Sequence, residues 1–451
     1  MPINPKSDPK SDPKPPWRVA PVPQGRTSRL LHFGRAVGEL AAGAAAHAVS
    51  QLARGRAVPL AQALLTPGNA RRLATRLSAM RGAVMKVGQL MSMDGKGVLP
   101  PAFAELLGEL RDRAHTMPTP QLMAVLEREY GPRWAERFQD FGQQPIASAS
   151  IGQVHKAVAR DGRVLALKIQ HPGVADSIDS DMDNLALLLR MPGLVPQWLD
   201  PAPLLQRVRV QLHRETDYAA EAKSLSAYRL ALGDDPVLSV PAVHPDLSTP
   251  HILATDFAQG EPLDRLMQGG RPQDERDAVA TALCRLAVRE VYVMRWVQTD
   301  PNFGNYLYDA QSGRIALLDF GATERVSLIR VKHLRNLTRA MRDDDLDALL
   351  QAALTAGLMT LDDPPEQRRA TLEMMLLAGE PLRCVGPYDF SASDLSGRVF
   401  KSGREQARVE GFSSAPPPDM LFLQRKFIGT FLQCSRLQAR VDLGAVFEGH
   451  L

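Results

Sequence analysis

The stretch QTDPNFGNYLYDAQSGRIALLDFGAT, residues 298–323, decides how this chain is read. Asp300 and Asn305 stand on one loop in a D-x-x-x-x-N spacing, which supplies a carboxylate able to orient an acceptor and an amide carbonyl able to bind a metal. A hairpin follows, and its buried-looking second strand, LLDFG, ends on Asp319-Phe320-Gly321. A lone DFG is common by chance. A D-x-x-x-x-N loop, then a hairpin, then an apolar strand ending in DFG is far more specific, because this order brings Asn305 and Asp319 to one cleft as a pair of metal ligands.

Phosphoryl transfer asks little covalent chemistry of a protein. It needs the triphosphate held, its charge neutralised by magnesium, and an acceptor in line. Working outward from residues 298–323, each part has a candidate. Lys168 ends the apolar run VLALK, the strand position from which a kinase lysine reaches the α/β-phosphates. Its carboxylate partner is sought on a helix, and RETDYAAEAKSL offers Glu215, Asp217 and Glu221 on one helical stretch, where Asp217 and Glu221 share a face and Glu215 and Asp217 do not. Taken alone, that stretch is an ordinary solvated acidic face.

The rest of the chain arranges itself around these parts. Residues 1–27, with the near-duplicate KSDPKSDPK and many prolines, read as a disordered leader. Residues 28–131 read as a helical extension, its last helix opening at Thr119 as N-cap before Pro120. Residues 132–258 form a small lobe: the pattern changes at Pro145, and IASASIGQVHKAVAR and RVLALKIQ are two strands joined by an Asp161-Gly162 hairpin. Helices are expected over 178–190 and 204–231, then strand-like VPAVHP and HILATDFAQG. Beyond a linker near 257–262, residues 259–451 form a helical large lobe carrying one hairpin. The expected class is α+β, a bilobal protein-kinase-like fold with an N-terminal helical extension.

Composition narrows the setting. With 451 residues, 44% hydrophobic and 23% charged, the chain can bury a sizeable core. Residues 1–115 hold 17 Lys+Arg against 7 Asp+Glu, whereas the remainder holds 37 against 43, so the basic excess is N-terminal. It points to an anionic membrane surface rather than nucleic acid. Cys284, Cys384 and Cys434 are far apart in sequence and suggest neither a disulfide framework nor a zinc site. The apolar run around 41–53 is interrupted by His47, Ser50 and Gln51, and the C-terminal run near Leu421 by Gln424, Arg425 and Lys426, so neither spans a bilayer. The first residues lack a signal-peptide core, and their prolines with Asp8 and Asp12 argue against a transit peptide. A cytoplasmic protein, peripheral on a membrane, is expected.

From about residue 75 to the C-terminus the chain resembles the UbiB family of atypical kinase-like proteins. KVGQ (Lys86, Gly88, Gln89) matches the family's KxGQ, and ASASIGQVH at 147–155 matches its alanine-rich loop. LALK, KIQHPGV, ETDYAAEA, QTDPNFGNYLYD and LLDFGAT follow in order. The resemblance implies that Glu221 pairs with Lys168, that Glu215 and Asp217 form the ExD pair, and that Lys86 and Gln89 lie over the active site. It further implies nucleotide contacts from Ala147, Ser148, Ala149, Ser150, Gly152, Lys168, Asp256, Phe257, Ala258, Asn305 and Asp319, with Mg2+ on Asn305 and Asp319. Ser148 interrupts the alanine run. Gln298 replaces the histidine of H-R-D, which leaves the bracing of the loop open. Gln298-Thr299-Asp300 and the ending LQRKFIGTFLQCSRLQAR resemble the coenzyme Q branch.

Two features bear on the reaction. The alanine-rich loop carries Cβ atoms where a G-x-G-x-x-G loop has none, Gly152 alone remaining permissive, so phosphates are cradled differently. GATERVSL leads directly into a helix and no A-P-E follows, which disfavours a peptide acceptor. The expected activity is therefore an ATPase that binds ATP or ADP with Mg2+ and supports coenzyme Q biosynthesis beside its enzymes or lipid precursors. A small-molecule or lipid kinase, and a nucleotide-binding scaffold without turnover, are the alternatives.

Overall fold

The computed structural model describes residues 18–19, 82, 86, 115–189, 201–267, 270–407 and 417–451. The chain divides into two compact units, one of Met1–Arg160 with Lys168–Thr216, the other of Asp161–Leu167 with Asp217–Leu451.

In the first unit, helix α1 (Thr119–Tyr130) buries Leu122, Val125 and Leu126. Thr119 is already helical: Pro118 occupies the cap position and no side chain caps the helix, which corrects the expected N-cap. The sheet begins earlier than the sequence suggested, with β1 (Phe138–Phe141) antiparallel to β3 (Gly152–Ala159). The short β2 (Ala147–Ser148) also pairs with β3, and β4 (Val164–Gln170), of which residues 168–170 belong to this unit, is the next strand in the sheet order. Along β4, Leu165, Leu167 and Ile169 are buried, the two-residue alternation that puts Lys168 on the opposite face. Gln153 and His155, two positions apart on β3, fill a polar gap: Gln153 Oε1 accepts from the Met117 amide at 2.8 Å, and His155 Nδ1 meets the Gly142 carbonyl at 2.7 Å. Burial holds the His155 pKa below its usual value, as befits a neutral core imidazole. Helices α2 (Val174–Leu189) and α3 (Ala202–Glu215) complete the unit.

In the second unit, α4 (Tyr218–Leu232) opens with Asp217 as N-cap, its carboxylate accepting from the Ala220 amide at 2.9 Å. The expected single helix over 204–231 is thus two helices, broken at Thr216. Glu215 ends α3 and is buried, while Asp217 is exposed and caps α4 through its Oδ1.

The unit's sheet orders β5 (Leu238–Ser239), β10 (Arg314–Leu317), β9 (Tyr306–Asp309) and β7 (Glu261–Pro262), where β9 and β10 are the hairpin read from the sequence. In chain order between β5 and β7 comes β6 (Ile252–Asp256), the neighbour of β4, with the Phe257 amide donating to the Val164 carbonyl at 3.0 Å. A second small pairing joins β8 (Trp296–Gln298) to β11 (Thr323–Arg325). Helix α5 (Gln273–Arg289) ends in a π turn over Glu290–Met294, and α6 (Leu328–Arg342), α7 (Leu346–Ala356), α8 (Pro365–Ala378), α9 (Leu395–Ala407) and α10 (Pro418–Leu437) follow. Cys284 on α5 and Cys434 on α10, distant along the chain, bring their Sγ atoms to 3.5 Å as buried free thiols.

Candidate active site

The first unit assembles a buried cluster around Glu215. Lys86 Nζ lies 2.5 Å from Glu215 Oε1, both side chains almost wholly removed from solvent. Ser150 Oγ donates to Glu215 Oε2 at 2.7 Å. The KxGQ lysine, the alanine-rich turn and the first ExD carboxylate therefore meet at one point. Gly82 lies one turn before Lys86 and makes the approach possible: a Cβ there would come within 3.3 Å of Ile151 Cγ2 and of the Ser150 carbonyl. Gln89 lies outside the described residues.

The alanine-rich loop is a tight hairpin in which the Ala149 amide donates to the Gly152 carbonyl at 2.9 Å. Gly152 is the first residue of β3, in extended backbone, so its permissive torsions are not used. With the Ala149 amide and Ser150 hydroxyl already engaged, the turn offers phosphates a different set of donors from a glycine-rich loop.

The second unit builds the loop of residues 300–305 and the loop of residues 319–321 on β8, β9, β10 and β11. The Thr299 amide donates to the Ala322 carbonyl at 2.8 Å, and the Leu318 amide to the Asn305 carbonyl at 2.9 Å, so the two loops are stitched side by side. Asn305 Nδ2 donates to the Asp300 carbonyl at 3.0 Å, so the amide nitrogen is engaged within the loop. Asp319 Oδ1 accepts from the Gly321 amide at 2.9 Å, and the carboxylate has no ion-pair partner among the described residues. Two hard oxygens without a protein cation suit a magnesium that takes its remaining ligands from phosphate and water. Among the described residues no group of three His, Cys, Asp or Glu could hold a metal by itself. Glu221 sits buried on α4, and Lys168 half-buried on β4. Asp256 Oδ1 meets His244 Nε2 at 2.8 Å and its Oδ2 accepts from the Ala242 amide at 2.9 Å, so its side chain braces the strand leading to Phe257 and Ala258.

The missing histidine proves to have a substitute. Gln298 Nε2 donates to the Asp319 carbonyl at 3.0 Å, and Gln298 Oε1 accepts from Tyr306 at 3.1 Å. Behind it lies a network that the sequence did not reveal. Glu290, fully buried, accepts from Tyr228 at 2.6 Å and from the Gln298 amide at 3.1 Å through Oε1, and pairs with Lys426 Nζ at 2.5 Å through Oε2. Burial alone would depress the Lys426 ammonium, but Glu290 and Tyr306 together outweigh it and hold its pKa above the usual value. Burial, then the Glu290 charge, pushes the Tyr228 hydroxyl well up, so it stays a proton donor. The Tyr228 ring packs on Phe320 of the DFG at 4.7 Å between centroids. The only sequence signals were a lone acid in VREVYV and a lysine inside an apolar helix.

A family model described as the ABC1 atypical kinase-like domain matches residues 109–353. The chain is 36% identical over 433 residues to the atypical kinase COQ8B, mitochondrial, of Rattus norvegicus, covering 96% of this chain and 81% of that protein. To the atypical kinase COQ8, mitochondrial, of Saccharomyces cerevisiae it is 32% identical over 429 residues, covering 95% and 85%. Among solved structures, the Rv3197–erythromycin complex from Mycobacterium tuberculosis aligns with a TM-score of 0.58 and 26% identity, over 85% of this chain and 96% of that one.

Proposed function

The chain belongs to the ABC1 atypical kinase-like family, the UbiB family of the resemblance above, and we propose that it is a magnesium-dependent ATPase whose nucleotide cycle supports coenzyme Q biosynthesis at a membrane surface. The observation that supports the catalytic part is the pair of loops stitched side by side, one carrying Asp300 and Asn305 and the other Asp319. The nucleotide-bound magnesium supplies charge neutralisation at the β/γ-phosphates. In this reading Lys168 neutralises the α/β-phosphates, Glu221 is the carboxylate that orders a kinase lysine, and Asp300 orients the attacking water. The backbone of Asp256, Phe257 and Ala258 meets the nucleotide. Coenzyme Q enters through the likeness to the COQ8 proteins and the QTD and C-terminal motifs.

Hydrolysis is favoured over peptide phosphorylation by the short path after the DFG. Only β11 separates Gly321 from α6, whose N-cap Ser327 accepts from the Arg330 amide, so little chain is left for a peptide platform. The membrane part rests on the basic N-terminal residues, among them Arg71, Arg72, Arg76 and Arg81. Each basic residue near an anionic leaflet contributes roughly 1 kcal/mol. Among the described residues no helix is long and apolar enough to cross a membrane, and we assign the protein a peripheral attachment through these basic residues; the rat and yeast relatives are named mitochondrial.

The test is product analysis with labelled ATP and magnesium, with and without anionic vesicles. Free phosphate is expected, rising with anionic vesicles and falling back as salt screens the surface. A labelled lipid or small-molecule product would make the protein a kinase for that acceptor, absence of any product would leave a scaffold, and equal stimulation by neutral vesicles at high salt would remove the electrostatic attachment.

A second expectation arises from the Glu215 cluster. Lys86→Ala is expected to shift the ratio of ATP to ADP affinity by about tenfold, roughly 1.4 kcal/mol, while the protein still melts cooperatively at a lower temperature. Calorimetric titration with both nucleotides checks it, and an unchanged ratio would leave Lys86 a purely structural partner of Glu215.

A further inference from the structure

Helix α10 reaches the catalytic loop twice. Arg425 Nη2 donates to Asp300 Oδ1 at 3.1 Å, with 20% of the arginine side chain and 9% of the aspartate side chain exposed. About two turns further along, Gln433 Nε2 donates to the Pro301 carbonyl at 2.9 Å. The loop fixes its own backbone from the other direction, since the Asp300 carbonyl accepts from Asn305 Nδ2 at 3.0 Å and from the Asn302 amide at 2.8 Å. The backbone of Asp300 is thus set within the loop, and α10 supplies a contact to its carboxylate.

We propose that Arg425 is a positioning residue for phosphoryl transfer, whose guanidinium fixes the plane of the Asp300 carboxylate against the attacking oxygen. An aspartate's terminal torsion is broad and roughly two-fold, so each directional partner narrows the orientations that its carboxylate samples. A planar guanidinium is such a partner, and a lysine only in part. Arg425 Nε is buried without a hydrogen-bond partner among the described residues, so no second polar anchor at that atom competes with Asp300 for the orientation of the head group. The inference rests on Asp300 being the acceptor-orienting carboxylate.

The test compares Arg425→Met and Arg425→Lys in the full chain with magnesium and ATP. Misplacing a reacting group by about 1 Å can cost on the order of 100-fold. Arg425→Met is therefore expected to lower kcat by about 30-fold, with the KM and calorimetric affinity for ATP within about twofold of the parent. Arg425→Lys should recover to within about fivefold, because a charge returns without the fork. In an Asp300→Asn background the methionine substitution should add little, since it acts through the missing carboxylate. If Arg425→Met melts below the assay temperature, Arg425→Gln supplies the same comparison. Equal losses in the lysine and methionine variants, an affinity that falls along with kcat, or turnover faster than the parent would each overturn the proposal. Should Asp300→Asn itself turn over normally, the reading of Asp300 fails; should it abolish turnover while Arg425→Met does not, only Arg425 loses its role.

Discussion

Asp319→Asn is expected to abolish magnesium-dependent ATP binding and to lower turnover by about 1,000-fold or more. An amide at 319 can still accept from the Gly321 amide, so the DFG turn survives the change. What disappears is the negative charge that a divalent cation needs beside the β/γ-phosphates, an interaction of several kcal/mol in a site screened from water. Stability should barely move, because the carboxylate is only half-buried and has no ion-pair partner among the described residues. Calorimetric titration of ATP with and without magnesium checks both points. Unchanged magnesium-dependent affinity in the variant would take Asp319 out of the metal site.

Lys426→Met is expected to produce the largest loss of stability. The ammonium faces Glu290 in a pocket closed to solvent, with Lys426 1% and Glu290 0% exposed. Removing one partner of such a pair leaves a buried, uncompensated charge, at a cost of about 3–5 kcal/mol. For a domain of this size that corresponds to a fall in Tm of roughly 10 °C. Glu290 also accepts from Tyr228 and from the Gln298 amide, so the damage should reach the catalytic loop. Adding Glu290→Gln keeps an oxygen for both donors while removing the orphaned charge. The double variant should recover more than half of the lost stability by thermal melting. A single variant melting within a degree of the parent, or a double variant whose losses simply add, would contradict this account of the network.

Much of the site was legible because its signals are local. Asp300, Asn305 and Asp319 are fixed by spacing within about 20 residues, and the hairpin between them follows from turn residues and alternation. Lys168 was singled out by its place at the end of the apolar run VLALK, which the structure shows to lie within a strand. The break at Thr216 was not, because the polar run over 213–217 reads equally well as the solvated face of one continuous helix; the signal lay in Asp217, a residue type that prefers to cap a helix rather than continue one. The meeting of Lys86 with Glu215 was anticipated only through the family resemblance, since nothing local to either residue encodes it. Arg425 and Lys426 were read as interruptions of an apolar run. Their partners, Asp300 and Glu290, lie more than a hundred residues away, and pairing at that distance leaves no periodicity behind. The bracing by Gln298 was equally hidden, for an amide that satisfies a carbonyl on one side and a hydroxyl on the other looks in sequence like any polar loop residue.

Chain order gives the α10 brace a clock. Arg425 follows Asp300 by 125 positions, and Gln433 follows Pro301 by 132. At a synthesis rate of about 5–20 residues per second, the ribosome finishes the catalytic loop roughly 6–25 s before it reaches the helix that holds the loop's aspartate. During that interval the metal loop and hairpin can already fold, but the buried acid Glu290 has no lysine to face. A nascent chain therefore has neither the Arg425 contact to Asp300 nor the Lys426 partner of Glu290 until α10 has been made.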